Sequence, residues 1–162
     1  MINDIRSISI KATISRVFKY LETTPNKFPI FQILETAPFV CIRYAALDGI
    51  RAGIKVAFNR KLRNEIRINE KKPLTVGSKL GPIEFIGAKE NMSYDFKIDA
   101  KFIKCFTGFN ILEKEEESIL KFYVQCEHPR KRDRLFWIFA KPFHILLAQK
   151  VLRIHKRQIE VD

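Results

Sequence analysis

The segment that most constrains the fold is residues 133–157, which is periodic like a helix but more apolar than one helix face requires. One stripe at three- and four-residue spacing consists of Phe136, Ala140, Phe143, Leu147, Val151 and Ile154. Ile138, Ile145 and Leu152 widen this stripe. Asp133 is a suitable N-cap, and Pro142 predicts a kink near Ile138. We therefore expect a long terminal helix that covers a large apolar surface.

The residues before this helix have the two-residue period of strands. Met92, Tyr94, Phe96 and Ile98 alternate with polar residues, and two further strand-like runs follow at residues 102–112 and 119–126. The acidic run 113–117 predicts a tight reversal between them. An earlier strand is expected at residues 83–86, before a turn at Gly87 and Asn91. Together these segments predict an antiparallel meander with one solvated face.

The first half of the chain predicts a strand at residues 5–11 and then helices. Thr13 or Ser15 can cap a helix in which Ile14, Val17, Phe18 and Leu21 follow helical spacing. A second helical stretch is expected through residues 39–50, and residues 59–73 have the composition of a basic loop. The pattern contains no repeat and no long linker, so residues 1–162 are expected to form one domain.

Charge and composition narrow the functional classes. The 162 residues are 46% hydrophobic and carry a net charge of +12, which suits one domain with its own core. Basic residues cluster at 60–72, 130–134 and 150–157 and could contact phosphates. Because the aromatic residues lie in apolar periodic segments, away from these clusters, no specific nucleic-acid binding is expected. A generally basic, solvated surface is the favoured interpretation.

Cysteine usage and the N-terminal sequence indicate a cytoplasmic protein. Cys41, Cys105 and Cys126 are widely spaced, which favours reduced and buried thiols. The first residues do not form a signal peptide. The most apolar window, residues 135–148, includes Lys141, Pro142 and His144 and is too short to cross a bilayer. No transmembrane segment is expected.

The order of elements resembles the helix-grip fold of the START/Bet v 1-like (SRPBCC) superfamily. In that α+β fold a curved antiparallel sheet and the C-terminal helix enclose a cavity for apolar molecules. Residues 75–82, Thr-Val-Gly-Ser-Lys-Leu-Gly-Pro, and residues 133–144, which end in Lys-Pro-Phe-His, resemble an uncharacterised bacterial family of this superfamily. Members of that domain-of-unknown-function family occur alone or after a short-chain-dehydrogenase-like domain. The resemblance covers residues 75–157.

Two departures qualify what the resemblance implies. The chain has no Gly-x-Gly-x-x-Gly dinucleotide motif, so a dehydrogenase-like partner would be a separate protein, and no cofactor is expected. Residues 102–106 are apolar where relatives tend to have His and Asp. If that polar pair is catalytic in the family, this chain lacks the activity.

Most polar candidates for a site have a simpler structural explanation. His144 could act as a general base, although a single histidine on a helix flank is more often structural. Cys126 and His128 are two soft ligands where a structural zinc site needs four, so no metal is expected. Asp95 and Asp99 share the polar side of a strand, and with Glu84 they are interpreted as solvent-exposed rather than as paired catalytic carboxylates.

Three functional hypotheses follow. The first is binding of an apolar or amphipathic small molecule between the sheet and the terminal helix, with Arg43 meeting an acidic head group. The residues expected at that site are Arg43, Tyr94, Phe96, Phe106, Phe122, Phe136, Phe139, Phe143 and His144. The second is a cyclase- or dehydratase-type enzyme that uses the same cavity, with His144 and Tyr94 as the first residues to test. The third is peripheral binding to an anionic membrane or nucleic acid through the basic clusters. The oligomeric state is left open.

Overall fold

The computed structural model describes residues 1–23, 51, 54–55, 58, 75–80, 83–99 and 104–161. The helix expected through residues 39–50 and the basic segment 59–73 lie outside the described residues, as do Cys41 and Arg43. Elements in the described part are β1 (Ile2–Ile10), α1 (Ile14–Thr23), β2 (Lys79–Leu80), β3 (Ile83–Lys89), β4 (Ser93–Asp99), β5 (Lys104–Lys114), β6 (Glu117–Cys126) and α2 (Lys131–Val161).

The strands form one antiparallel sheet in the order β1-β6-β5-β4-β3-β2. Strands β3 to β6 are the expected meander, each paired with the next. The first strand, β1, joins the sheet beside β6, where Ile2 faces Cys126 and Ile10 faces Ser118. This pairing brings the earliest and the latest strands of the chain together.

One face of the sheet is buried and the other is largely solvated. On β6 every second residue from Ser118 to Cys126 is buried, which is the alternation expected of a half-buried strand. The buried face, called the inner face below, packs against α1 and α2. Ile5, Phe106 and Leu112 are exposed on the opposite face.

Helix α1 forms as the sequence predicts. It begins at Ile14, and the Thr13 hydroxyl accepts a hydrogen bond from the Arg16 amide at 3.4 Å, as an N-cap should. Val17, Phe18 and Leu21 recur at helical spacing and are buried in the core. The apolar stripe therefore determines which side of α1 faces the sheet.

Helix α2 begins two residues earlier than expected, at Lys131. Asp133 is accordingly in the first turn rather than at the N-cap. Its carboxylate accepts hydrogen bonds from the backbone amide and the guanidinium of Arg130, each at 2.8 Å. A first-turn acid that reaches back to the N-cap amide is one half of a capping box. The helix continues through Pro142 to Val161, although proline removes the usual amide donor to the Ile138 carbonyl.

The inner face of α2 contacts two parts of the core. Ala148, Val151, Leu152 and Ile159 join the main apolar cluster with α1 and the strands. Phe136 and Trp137, about three turns before Ala148, pack on a smaller cluster of Ile2, Cys105, Val124 and Cys126. Of the expected apolar stripe, Phe143 is the exception, because its side chain is 53% exposed. The sequence did not distinguish it from its neighbours because α2 is apolar on two faces.

Two strand boundaries also differ from expectation. Strand β1 starts at Ile2 rather than at residue 5, which adds Asp4 to the inner face. Gly87, expected at a turn, lies inside β3 at an irregularity where the pairing register shifts between Phe85 and Gly87. The turn itself is at Asn91, which adopts a positive φ of 54°. These differences leave the fold class unchanged: it is the α+β helix-grip arrangement, an antiparallel sheet with a long C-terminal helix.

Candidate functional site

A buried polar group connects β1 to α2 on the inner face of the sheet. His144 Nδ1 lies 2.9 Å from Asp4 Oδ2, and Arg6 Nη2 donates to Asp4 Oδ1 at 2.7 Å. The side chain of His144 is 13% exposed and that of Asp4 is 6% exposed. We call Asp4, Arg6 and His144, with the rings of Phe122 and Trp137 around the imidazole, the His144 cluster.

Asp4 is ionised in this cluster. Burial opposes its negative charge, but the hydrogen bond and charge of Arg6 and the proximity of His144 outweigh that effect, so the pKa of Asp4 lies below its usual value. Arg6 is two residues along the same strand, so both side chains point to the inner face. The alternation of β1 thus places an acid and its cation together.

His144 is neutral at physiological pH. Burial lowers the pKa of His144 and outweighs the opposite effect of the Asp4 carboxylate. A carboxylate only accepts hydrogen bonds, so the proton of the neutral ring lies on Nδ1 and Nε2 keeps its lone pair. Nε2 is buried and has no hydrogen-bond partner among the described residues. The arrangement presents an acceptor, oriented by Asp4, inside an apolar environment.

Two aromatic rings enclose the imidazole. Phe122 stacks on it, with ring centroids 5.7 Å apart and planes 21° apart. Trp137 is tilted against it at a centroid distance of 5.1 Å. Trp137 is the only tryptophan in the chain, so its fluorescence reports on this site.

The inner face next to the cluster is aromatic. The strand register places Tyr94, Phe109, Phe122 and Arg6 in one cross-strand row. Tyr94 stacks on Phe85 at 4.6 Å. Because adjacent strands are about 4.8 Å apart, the Tyr94 backbone is about 10 Å from that of Phe122. Burial raises the pKa of Tyr94 to about 12, so its hydroxyl keeps its proton and can serve as a donor.

The expected site residues occupy three environments. Tyr94, Phe96 and Phe122 are buried on the inner face, with His144 above Phe122 and Phe136 partly buried over the smaller cluster. Phe106 is 40% exposed on the outer face of β5. Phe139 and Phe143 are on the outer side of α2, exposed by 70% and 53%. Arg43 lies outside the described residues.

The sequence interpretation missed Asp4, Arg6 and Trp137. Asp4 and Arg6 alternate with apolar Ile2 and Ile8 on one side of a strand, and this spacing of two is the signal that could have placed them on the inner face. Trp137 precedes His144 by two helical turns, so the two rings share a face of α2. No sequence pattern linked His144 to a residue 140 positions away.

The other polar candidates do not converge on this cluster. Asp95 accepts hydrogen bonds from the hydroxyls of Tyr123 and Ser93, each at 2.7 Å, on the outer face. Asp99 forms an exposed ion pair with Lys104. Glu84 faces Lys97 across β3 and β4. No catalytic carboxylate pair is formed by these side chains.

The described residues contain no group of three or more His, Cys, Asp or Glu side chains that could hold a metal ion. Cys126 is buried while His128 is exposed, so the two side chains are not presented together.

Cys105 and Cys126 are free and buried, as expected for these two thiols, and burial raises the pKa of Cys105 to about 12. An unreactive, protonated thiol is therefore expected at Cys105.

A second buried histidine belongs to the core rather than to the cluster. His155 contacts the rings of Tyr20 and Phe109 edge-on, at centroid distances of 5.7 and 5.0 Å. Burial lowers its pKa to about 3, so the ring is neutral in the folded protein. Because the rings of Tyr20 and Phe109 belong to the main apolar cluster or pack against it, we interpret His155 as a packing residue.

The sequence matches no protein-family model and no curated protein. Solved structures with a similar fold include a protein from Arthrobacter aurescens at 10% identity and a TM-score of 0.55, with 99% of this chain and 87% of that chain covered. MLL2253 from Mesorhizobium loti is similar at 10% identity and a TM-score of 0.52, with 96% and 97% covered. DynU16, from the dynemicin biosynthetic locus, is similar at 12% identity and a TM-score of 0.50.

These likenesses establish the fold. The match to DynU16 covers 98% of this chain but only 47% of the DynU16 chain. The expected α+β helix-grip arrangement, an antiparallel sheet with a long C-terminal helix, is confirmed. Membership of the uncharacterised bacterial family, its association with a dehydrogenase-like protein and a cytoplasmic location stay predictions.

Proposed function

We propose that this protein binds an apolar or amphipathic small molecule between the inner face of the sheet and α2, with its polar end at the His144 cluster. The observation that carries the proposal is His144 Nε2, a buried acceptor without a hydrogen-bond partner among the described residues. Leaving such a group unsatisfied costs about 1–3 kcal/mol. A ligand that donates a hydrogen bond to Nε2 would recover that energy on binding.

The chemistry of the cluster defines the class of ligand. The rings of Phe122 and Trp137 favour an apolar body, and the Nε2 lone pair favours a hydroxyl or an N–H group on it. Arg6 is already paired with Asp4, so the cluster is closer to neutral than the rest of this basic protein. We therefore infer a neutral polar end, such as an alcohol or phenol, rather than the acidic head group expected from Arg43.

A matched pair of ligands tests this inference. Decanol and methyl nonyl ether have the same number of heavy atoms, but only decanol can donate a hydrogen bond. We expect both to change the fluorescence of Trp137 and decanol to bind about tenfold more tightly, as one additional buried hydrogen bond predicts. Equal affinity would remove the role of Nε2, and no response to either ligand would overturn the proposed site. Native mass spectrometry of protein purified from cells should also reveal a bound apolar molecule.

An enzyme that uses His144 as a general base is the second candidate. The Asp4–His144 pair favours it, because a carboxylate on Nδ1 orients the ring and stabilises the imidazolium formed when Nε2 takes a proton. The side chain of Tyr94, protonated at neutral pH, could act as a donor in such a site. Catalysis would be supported if the protein converts a bound hydroxylated ligand to a product and the His144→Phe variant does not. Ligand recovered intact from both proteins would exclude it for that ligand.

A further inference from the structure

Helix α2 has an exposed apolar face that no described element of the fold covers. Leu135, Ile138, Phe139, Phe143 and Leu146 recur at three- and four-residue spacing and are each more than half exposed. Pro142 lies on the same face and is exposed as well. Isolated exposed apolar residues are ordinary, but a contiguous set of this size marks an interaction surface. We call these six residues the outer stripe.

Both ends of the outer stripe are basic. Lys131 and Arg132 are exposed one turn before Leu135, and Lys150, Arg153 and Arg157 continue the same helical face after Leu146. A depression of about 320 Å³ is lined by Leu146, Gln149, Lys150, Arg153, Ile154 and Arg157. The apolar stripe therefore runs directly into a site with three cationic side chains.

Between Lys131 and Arg157, the described part of this face carries no exposed opposing charge. The only acidic residue between Lys131 and Arg157 is Asp133, whose side chain is 2% exposed and is held by Arg130. A protein partner with a mixed-charge rim would meet unmatched cations at both ends of the stripe. A surface with an apolar interior and a uniformly anionic boundary would complement the whole face.

We propose that the outer stripe docks α2 in the plane of an anionic lipid membrane. The apolar residues enter the boundary between head groups and acyl chains, and Lys150, Arg153 and Arg157 contact lipid phosphates. By length and composition α2 could cross a membrane, the only described helix of which this is true. Its other side packs on the sheet through Ala148, Val151 and Leu152, so the helix lies on the membrane rather than across it.

This proposal is independent of ligand binding, because the His144 cluster is on the opposite side of α2 from the outer stripe. A protein that binds vesicles but no apolar ligand would support the docking surface alone. A protein that binds decanol but no vesicle would support the proposed function alone. The two conclusions can therefore fail separately.

Vesicle flotation provides the test, with pure phosphatidylcholine vesicles compared with vesicles containing about 30% phosphatidylglycerol. We expect binding only to the anionic vesicles, and a loss of at least tenfold when salt is raised from about 0.05 to 0.5 M. Glycerol phosphate at millimolar concentration should not compete, since it lacks acyl chains. Equal binding to both vesicle types would overturn the proposed role of anionic lipid, and competition by glycerol phosphate would overturn docking on a bilayer.

Variants locate the surface. The double variant Phe139→Ser/Phe143→Ser removes the centre of the stripe, and Lys150→Glu/Arg153→Glu reverses its basic end. Each is expected to weaken vesicle binding at least tenfold, because both buried apolar area and surface charge contribute to interfacial binding. Matched controls on the outer face of the sheet are Ile5→Ser/Leu112→Ser and Lys89→Glu, all at exposed positions. Controls that lose as much binding as the α2 variants would refute the assignment.

Self-association is the competing explanation for an exposed apolar face. Sedimentation velocity of the unaltered protein and of Phe139→Ser/Phe143→Ser distinguishes the two. A monomer in both cases supports the membrane surface. A dimer that the double variant converts to a monomer, without any change in vesicle binding, would assign the stripe to a second copy of the chain.

Discussion

His144 on α2 and Asp4 on β1 meet at 2.9 Å across 140 residues of sequence. The contact orients the imidazole and joins the terminal helix to the edge of the sheet. It also fixes the protonated nitrogen, because the Asp4 carboxylate can only accept. The remaining nitrogen faces the apolar interior, and the proposed ligand site depends on that orientation.

Replacing His144 with Phe should abolish selectivity for the hydroxylated ligand. The ring can still stack on Phe122, but the Nε2 acceptor is lost, so decanol and methyl nonyl ether should bind equally. The free energy of unfolding should change by less than about 1 kcal/mol, since Asp4 keeps Arg6 and a buried unsatisfied atom is removed. Fluorescence titration of Trp137 and urea denaturation measure the two effects. Retained selectivity in the variant would show that another group holds the hydroxyl.

Replacing His155 with Phe should reduce the pH dependence of stability. The folded-state pKa of His155 is depressed to about 3, while the unfolded chain takes up the proton near pH 6.5. Below pH 6.5 the unfolded chain therefore binds a proton on His155 that the folded protein does not. This difference lowers the free energy of unfolding by about 2 kcal/mol when the pH falls from 7 to 5. Urea denaturation at both pH values measures the difference. An identical pH dependence in wild type and variant would contradict a neutral, buried His155.

Gly108→Ala should destabilise the sheet. A Cβ atom at this position would be 2.4 Å from the carbonyl oxygen of Tyr94 and 3.1 Å from the Cα of Asp95. Both are backbone atoms of β4, so the strands would have to separate, at an expected cost of about 2 kcal/mol or more. Thermal or urea unfolding measures the loss. Asn110→Ala, two residues along β5 on the same face, is the control and should be clearly milder.

Asp133→Asn should weaken the start of α2. The carboxylate accepts the Arg130 amide and guanidinium, and the hydrogen bond from Arg130 is the main cause of its lowered pKa. Its contribution is complete above the unfolded-state pKa near 3.9 and is lost as the pH falls through the lower folded-state value. We expect a loss of about 2 kcal/mol at neutral pH, measured by urea denaturation. Asp99→Asn removes an exposed ion pair and should leave the free energy of unfolding nearly unchanged.

The sequence predicted the elements in which the apolar side chains follow a single period, either that of a strand or that of a helix with one apolar face. The meander followed from the two-residue period of β4 and β6, and α1 followed from Val17, Phe18 and Leu21 beside the Thr13 cap. These signals are local, so they can be detected before any tertiary contact is known. The class of fold followed from their order together with the length of α2.

The site could be predicted only in part, for two physical reasons. Helix α2 is apolar on opposite faces, so periodicity could not decide that Phe139 and Phe143 point outward while Trp137 and His144 point inward. The partner of His144 lies on β1, and the strand register that brings Asp4 beneath α2 is a long-range property of the fold. The sequence around His144 therefore gave no reason to expect a carboxylate beside it.

The pairing of β1 with β6 has a consequence for synthesis on the ribosome. Ile2 can pair with Cys126 only after Cys126 has left the exit tunnel. Asp4 can contact His144 only at a later stage of synthesis. Until then the apolar side chains of β1 have no strand to protect them, and such exposed edges are prone to aggregation. The sheet and the Asp4–His144 contact are thus expected to form only after α2 has been synthesised.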